Sequence, residues 1–468
     1  MENHNDYLGK ENIFKVLIKF SLPCITGLLI TALYNIVDQI FIGNSSLGFY
    51  GNAATGVSFP IICIVNAFAW CIGDGAASYL SICAGRKDTE SAHKCVGSGI
   101  VASTVISIIL SIICLLFSKK LMTLFGASVH TLEMANNYFV IISIFFVFYL
   151  LIAVMNSMIR ADGSPKYAML AMLVGAVINI ILDPLFIFVF DWGIEGAAWA
   201  TVIGQIMSFV MCLIYFRKPK TFVLKKKSFK VDFLILKRMI SLGLSTFITQ
   251  VSISIVFLVS NMILSKYGEL SKYGKDIVIS VFSIQTKVYT IVNNIAVGIV
   301  LGGQPIFGYN YGAGKLDRVK KTYIIVLLAT IVVGGLATLT LQLFPEAIIN
   351  IFGKGNDLYY EFAVKMFRIY LSLMTITCLI KMTAVFFQSI GKSIYAIVAS
   401  LIRDIVCFTP LVLILSKSLE NSNVGEGING IIYAAPIADF ISIFVILTLT
   451  LIFFRSIKKP NKKELIEG

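Results

Sequence analysis

The chain has 468 residues, 57% of them hydrophobic and only 14% charged, with a mean hydropathy of +0.88. Soluble globular chains run at roughly 45–50% apolar and 25% charged, so this balance excludes a soluble protein and leaves a membrane protein. The net charge of +14 needs no nucleic-acid partner, because lysine and arginine collect in short loops between apolar stretches.

A spanning helix needs about 20 apolar residues, and twelve such stretches follow one another. The first, 14–42, contains Pro23, Tyr34, Asn35 and Asp38; the second, 54–84, contains Asp74. The third is 94–118, and the fourth, 131–157, carries the aromatic run 144–151 with Phe148 and Tyr149, then Met155 and Asn156. The fifth, 165–190, holds Asn179, Asp183 and Pro184, and the sixth, 194–216, holds Thr201 and Gln205. A basic stretch, 217–238, leads into the seventh, 233–266, which has no carboxylate over 241–263. The eighth, 276–302, carries Lys287; the ninth is 318–343; the tenth, 358–388, carries Lys381 and Gln388. Arg403 and Asp404 lie in the eleventh, 393–418, and the twelfth is 427–455. Almost nothing remains for a domain outside the bilayer, so any site lies within it.

Basic residues crowd the amino-terminal tail, the loops at 85–95, 158–166, 217–240, 312–321 and 389–393, and the carboxy-terminal tail. With twelve spans these all fall on one side, while the opposite side has few, such as Lys119, Lys120 and Lys354. Cytoplasmic loops are the ones enriched in Lys and Arg, so both termini are expected in the cytoplasm of a multi-pass protein of the cell (inner) membrane. The 217–238 stretch reads as a linker lying against anionic headgroups. Nine scattered cysteines without CxxC spacing read as small buried hydrophobes. Asn44-Ser45-Ser46 matches a glycosylation acceptor, a frequent chance match.

The chain also repeats itself. GDGAASYLSICAGRKD (73–88) aligns with GGQPIFGYNYGAGKLD (302–317), GSPKYA (163–168) with GKSIYA (391–396), and GIEGAAWATVIGQ (193–205) with GINGIIYAAPIAD (427–439). Each pair is about half a chain apart, which implies two homologous six-helix lobes: 1–220, then a basic linker at 221–232, then 233–468. Parallel repeats of this kind favour transporters that alternate access to a site near the midplane. GYNYGAGK (308–315) fails as a phosphate loop, because Tyr309 stands where the first glycine belongs and Leu316 where the hydroxyl residue belongs. It reads instead as a helix-terminating turn, so no ATP site is expected.

A charge at the bilayer centre costs from ~3 to over 10 kcal/mol, so intramembrane acids are rare and usually face a polar cavity. Asn179 and Asp183 are four residues apart on one helical face, as are Tyr34 and Asp38, and Thr201 and Gln205. Together these offer carboxylate, amide and hydroxyl oxygens, a donor set suited to Na⁺ or a proton. Pro23 and Pro184 each remove a backbone hydrogen bond and offer a bend. Asp74 is expected to neutralise a basic neighbour, and Arg403-Asp404 to form a mutual or inter-helix pair. Lys287 and Lys381 are open between a cavity and the interface. Phe148, Tyr149, Met155, Asn156 and Lys287 are candidates for lining a substrate cavity.

From NIVDQIFIG through AGRKD, RADGSPKYAML, NIILDPLF, GIEGAAWATVIGQ and QPIFGYNYGAGK, the chain resembles the multidrug and toxic compound extrusion (MATE) family of secondary transporters. The resemblance implies an all-α polytopic membrane protein with twelve transmembrane helices in two homologous six-helix lobes around a central cavity. It implies an antiporter, not an enzyme, that exports cationic amphipathic drugs in exchange for Na⁺ or H⁺, with no other cofactor and no ATP. By position, the family's amino-lobe cation site becomes Asp38, Asn179, Asp183 and Thr201 here, with Tyr34 and Pro23 also matching. The acids that some branches carry on helices seven and ten are missing, which places coupling in the first lobe. Membrane lipids are the expected surroundings and a monomer the expected state. A lipid-linked saccharide flippase of the same superfamily is the alternative.

Overall fold

The computed structural model describes residues 6–45, 47–129, 131–224, 226–352, 355–422 and 425–456. Ser46 of the glycosylation triplet, Lys354 and the basic tail after 456 lie outside them. Among the described residues all regular structure is helical. Ten helical stretches are long and apolar enough to cross a bilayer, and two bent pairs bring the number to twelve.

The spans are α1 (Ile13–Gly43), α2 (Gly48–Arg86), α3 (Thr89–Leu116), then, after the short α4 (Ser118–Leu124), the pair α5 (Leu132–Ile144) and α6 (Phe146–Ala161). After these come α7 (Pro165–Pro184) with a π-turn at Leu185–Val189, α8 (Gly193–Phe216), α9 (Phe233–Leu270), α10 (Lys275–Gly312) and α11 (Leu316–Leu343). The short α12 (Pro345–Phe352) precedes the second pair, α13 (Asp357–Tyr370) and α14 (Met374–Ser389). The last two are α15 (Ser393–Leu401), continued by a π-turn at Ile402–Phe408 into α16 (Thr409–Ser422), and α17 (Asn429–Ser456). Helices α5 and α6 bend by 55° at Phe145, and α13 and α14 by 47° at 371–373. Neither break contains proline or glycine, which is why hydropathy reads each pair as one straight span. Helix α1, by contrast, runs unbroken through Pro23.

Contacts divide the chain into two compact units. One takes in Met1–Gln250 with Leu301–Val319 and Gln388–Ser393; the other takes in Val251–Val300, Lys320–Phe387 and Ile394–Gly468. In the first unit, the two halves of the 73–88/302–317 repeat cross each other at backbone contact. A Cβ on Gly85 would lie 2.1 Å from the Tyr309 carbonyl, and one on Gly312 would lie 2.3 Å from the Ile82 carbonyl. The Gln304 amide donates to Ser78 Oγ at 3.0 Å beside this crossing. Thus 308–312 of GYNYGAGK is helix, and only the residues after it form the expected turn: Gly314 is left-handed (φ +71°), and Lys315 N closes back on Asn310 O at 2.8 Å.

The same unit folds its amino-terminal turn onto α10. Tyr309 donates to Asp6 at 3.0 Å, Asn310 Nδ2 to Leu8 O at 3.1 Å, Lys315 Nζ to Gly9 O at 3.0 Å and Arg318 Nε to Leu8 O at 3.1 Å. The basic linker is held more closely than a headgroup-lying loop. Asp162 accepts from Tyr215 Oη (2.6 Å), Lys220 N (2.8 Å) and Thr221 N (2.8 Å), while Phe222 and Ser228 are buried. Arg217, Lys218, Lys227 and Lys230 still point outward. The second unit is centred on an apolar core that includes Leu264, Val278, Phe362, Phe367 and Ile431. All nine cysteines are free, and all but Cys63 are buried.

The glycine crossing tolerates no methyl group. Gly85→Ala or Gly312→Ala should lower stability in detergent by about 1–3 kcal/mol, the usual cost of overpacking. A thermal unfolding series checks this, with Gly335→Ala, at a glycine with open space around it, as the reference.

Candidate ion and substrate site

The site is built where α7 and α8 come close enough to touch. A Cβ on Gly204 would meet Gly175 O at 2.6 Å and Asn179 Cβ at 3.2 Å, and Ser208 Oγ donates to Ala171 O at 2.9 Å. Small residues let polar side chains converge beside that contact. Asn179 and Asp183 follow one another on the buried face of α7, with Asn179 Nδ2 3.3 Å from Asp183 Oδ1. Asp38, buried on α1, brings its carboxyl within hydrogen-bonding reach of Asp183.

Two buried carboxylates cannot both stay ionised in contact unless positive charge lies between them. The remaining polar atoms do not supply it. Asp38 Oδ1, Asn179 Oδ1, Asp183 Oδ2 and Gln205 Oε1 are all buried, and no donor reaches them. Four oxygens without donors are what a shared proton or a small hard cation would satisfy. No group of three His, Cys, Asp or Glu side chains placed to hold a metal ion occurs among the described residues.

The other predicted residues divide. Thr201 is half-buried on α8, one turn before Gly204. Tyr34 lies within electrostatic reach of both acids. Asn35 is exposed, donates to Thr31 O at 2.8 Å and lies within hydrogen-bonding reach of Tyr34. Pro184 ends α7 directly after Asp183 and opens the π-turn. Sequence reasoning missed Tyr138 on α5, which is buried and within reach of Asp38, Asp183 and Tyr34, and Asn66 on α2, which accepts from Tyr149 Oη. Both sit in apolar runs where a tyrosine or asparagine carries no helical partner pattern.

Two cavity candidates are buried. Met155 is 2% exposed and packs in the apolar core of α2, α3 and α6, and Asn156 is buried with its amide donating to Ala168 O at 2.8 Å. The aromatic helix turns those positions inward. Phe148 is half-buried, edge-on to Phe209 with ring centres 5.2 Å apart.

Elsewhere buried charge is paired, apart from Asp162, which is held by neutral donors. Asp74 pairs with Arg160 at 3.1 Å, with Ser157 Oγ donating alongside at 3.3 Å. In the second unit, Lys381 pairs with Asp404 (2.7 Å), and Arg403 bridges Asp404 (2.8 Å) and Asp439 (2.9 Å), whose Oδ1 also accepts from Thr377. Two acids and two bases leave that cluster neutral. Arg160→Met should therefore destabilise by about 3–5 kcal/mol by stranding Asp74. Arg160→Met/Asp74→Asn should recover most of that loss in thermal unfolding.

A polytopic helical fold with a duplicated half is a transporter architecture. The chain belongs to the MatE family, whose model matches it twice, over residues 23–185 and 246–414. It is similar to the multidrug export protein MepA of Staphylococcus haemolyticus (strain JCSC1435), with 26% identity and 95% of each chain covered. MepA of Staphylococcus aureus (strain MSSA476) is 24% identical, with 99% of this chain and 98% of that protein covered. Among solved structures, the MATE multidrug transporter DinF-BH, in complex with the dye rhodamine 6G, matches with a TM-score of 0.86 and 31% identity, over 94% of this chain and 96% of that one. A multidrug/oligosaccharidyl-lipid/polysaccharide (MOP) superfamily transporter from Pyrococcus furiosus, described as having a binding pocket of reversed polarity, shares the fold at a TM-score of 0.88 and 21% identity. It matches 98% of this chain and 99% of its own.

Proposed function

We propose that the protein is a secondary active multidrug efflux antiporter that exports cationic amphipathic compounds in exchange for Na⁺ or H⁺ by alternating access. The observation that carries this is the approach of Asp38 to Asp183 beside Asn179, with an oxygen of each of the three buried and met by no donor. An incoming cation neutralises the pair and is held by Asp38, Asp183 and the Asn179 carbonyl oxygen, with Thr201 and Gln205 on the neighbouring helix. A cationic drug competes for the same negative charge. Coupling follows because a ligand shifts a conformational equilibrium only by its unequal affinity for the two states.

The relatives named multidrug export proteins support the substrate class, and the helical state of 308–312 supports the absence of an ATP loop. The asymmetry of Lys and Arg supports an inner-membrane protein with both termini in the cytoplasm. A monomer suffices, since one chain supplies every residue invoked. The acid pair favours cationic compounds over the anionic headgroup that a lipid-linked saccharide would bring.

Dye efflux from proteoliposomes under an imposed Na⁺ gradient, and separately a pH gradient, tests the reading. One of the two gradients should drive efflux, and Asp38→Asn or Asp183→Asn should cut the driven rate at least tenfold while the protein remains folded. Parental rates in Asp183→Asn under both gradients would show the coupling assignment to be wrong.

A further inference from the structure

A cation within a spanning helix is ordinarily paired or drawn out to the interface. Three basic side chains are buried among the described residues, and each has its carboxylate: Arg160 with Asp74, Lys381 with Asp404, and Arg403 with Asp404 and Asp439. Lys287 breaks that pattern. It stands about 18 Å along α10 from Lys275, by the helical rise. It is half-buried and has no ion pair or hydrogen-bond partner among the described residues.

The surface of α10 shows what Lys287 faces. Spanning helices present apolar side chains to lipid: α11 exposes Ile324, Leu328, Val332, Leu336 and Leu339. Along all 38 residues of α10 no large hydrophobic side chain is exposed. Its second-unit portion instead exposes Asp276, Ser280, Ser283 and Thr290, and the half-buried Lys287 and Asn294 continue the same row. Spacings of three and four place these six on one helical face, and every one is polar. Val278, Val281, Phe282 and Val288, on the other side, pack into the core. Hydrocarbon solvates such a stripe poorly, and its one ammonium calls for water or a counter-charge. Two hydroxyls beside Lys287 are already committed to their own helix, Thr286 Oγ1 to Phe282 O and Thr290 Oγ1 to Thr286 O, each at 2.8 Å. That leaves the ammonium as the charged donor at this depth.

We propose that Lys287 is a specificity-determining residue that pairs with a carboxylate carried by an otherwise cationic substrate. The inference rests on the export reading above and narrows its substrate class to zwitterionic amphiphiles. A charge-assisted hydrogen bond is roughly twice as strong as a neutral one, and it strengthens where apolar walls lower the dielectric. A monocation gains nothing from this ammonium and is repelled by it, so Lys287 sorts substrates by whether they bring an anionic group.

The test compares rhodamine 6G, a cationic ester, with the free acid obtained by hydrolysing that ester, each bound to the purified full-length protein and read by fluorescence anisotropy. Lys287→Met should lower the acid-to-ester affinity ratio by about tenfold, one ion pair's worth of discrimination, and Lys287→Arg should keep the parental ratio. Should the Met variant not be recovered, Lys287→Gln is read by the same ratio. A ratio within twofold of parental in the neutral variant, with both dyes still bound, overturns this inference and leaves the export reading standing. Parental protein that binds neither dye overturns both. Phosphatidylglycerol added to the parental protein should leave the ratio unchanged; loss of acid binding on its addition would assign Lys287 to a headgroup phosphate and overturn the proposal.

Discussion

Charge taken out of water must be answered by opposite charge or by donors aimed at it, and the way this chain meets that requirement organises the molecule. Most of its buried ions are answered permanently. Arg160 answers Asp74, and Lys381 with Arg403 answer Asp404 and Asp439, through bonds of 2.7–3.1 Å. Such pairs contribute little net stability but penalise any arrangement that separates them. Asp38 and Asp183 differ, because among the described residues no basic side chain pairs with either, and Asp38 Oδ1 and Asp183 Oδ2 are buried without a donor. In the function proposed above, their compensation comes from outside the polypeptide, and a site whose compensation is exchangeable can do work when it is exchanged.

The packing that surrounds these charges is made by small residues. Gly175 and Gly204 bring α7 and α8 into contact beside Asn179, and Gly85 and Gly312 do the same for the crossing of α2 with the end of α10. In a bilayer there is little hydrophobic drive between helices, so close backbone approach carries the association. The repeated segments 73–88 and 302–317 meet each other at such a contact, through Gly85 of one and Gly312 of the other.

Much of this was legible in the sequence. Span count, duplication and the acids on α1 and α7 follow from hydropathy and from helical spacing, because both are local properties of the chain. The bends at Phe145 and at 371–373 were not legible, since no proline or glycine marks them. Nor were Tyr138 and Asn66, which reach the site from other helices, or the inward turn of Met155 and the outward turn of Asn35. Helix rotation about its own axis is set by tertiary packing. Lys381 and Lys287 show the same limit: sequence left both undecided, and only neighbours on other elements separate the paired from the unpaired.

The cysteines, scattered and buried, have a practical bearing. Eight of the nine are buried and the other is only partly accessible, so a water-soluble thiol reagent meets a nearly silent background. A single cysteine placed anywhere along the polar stripe of α10 would report local wetting during the working cycle, without first stripping the native thiols from the chain.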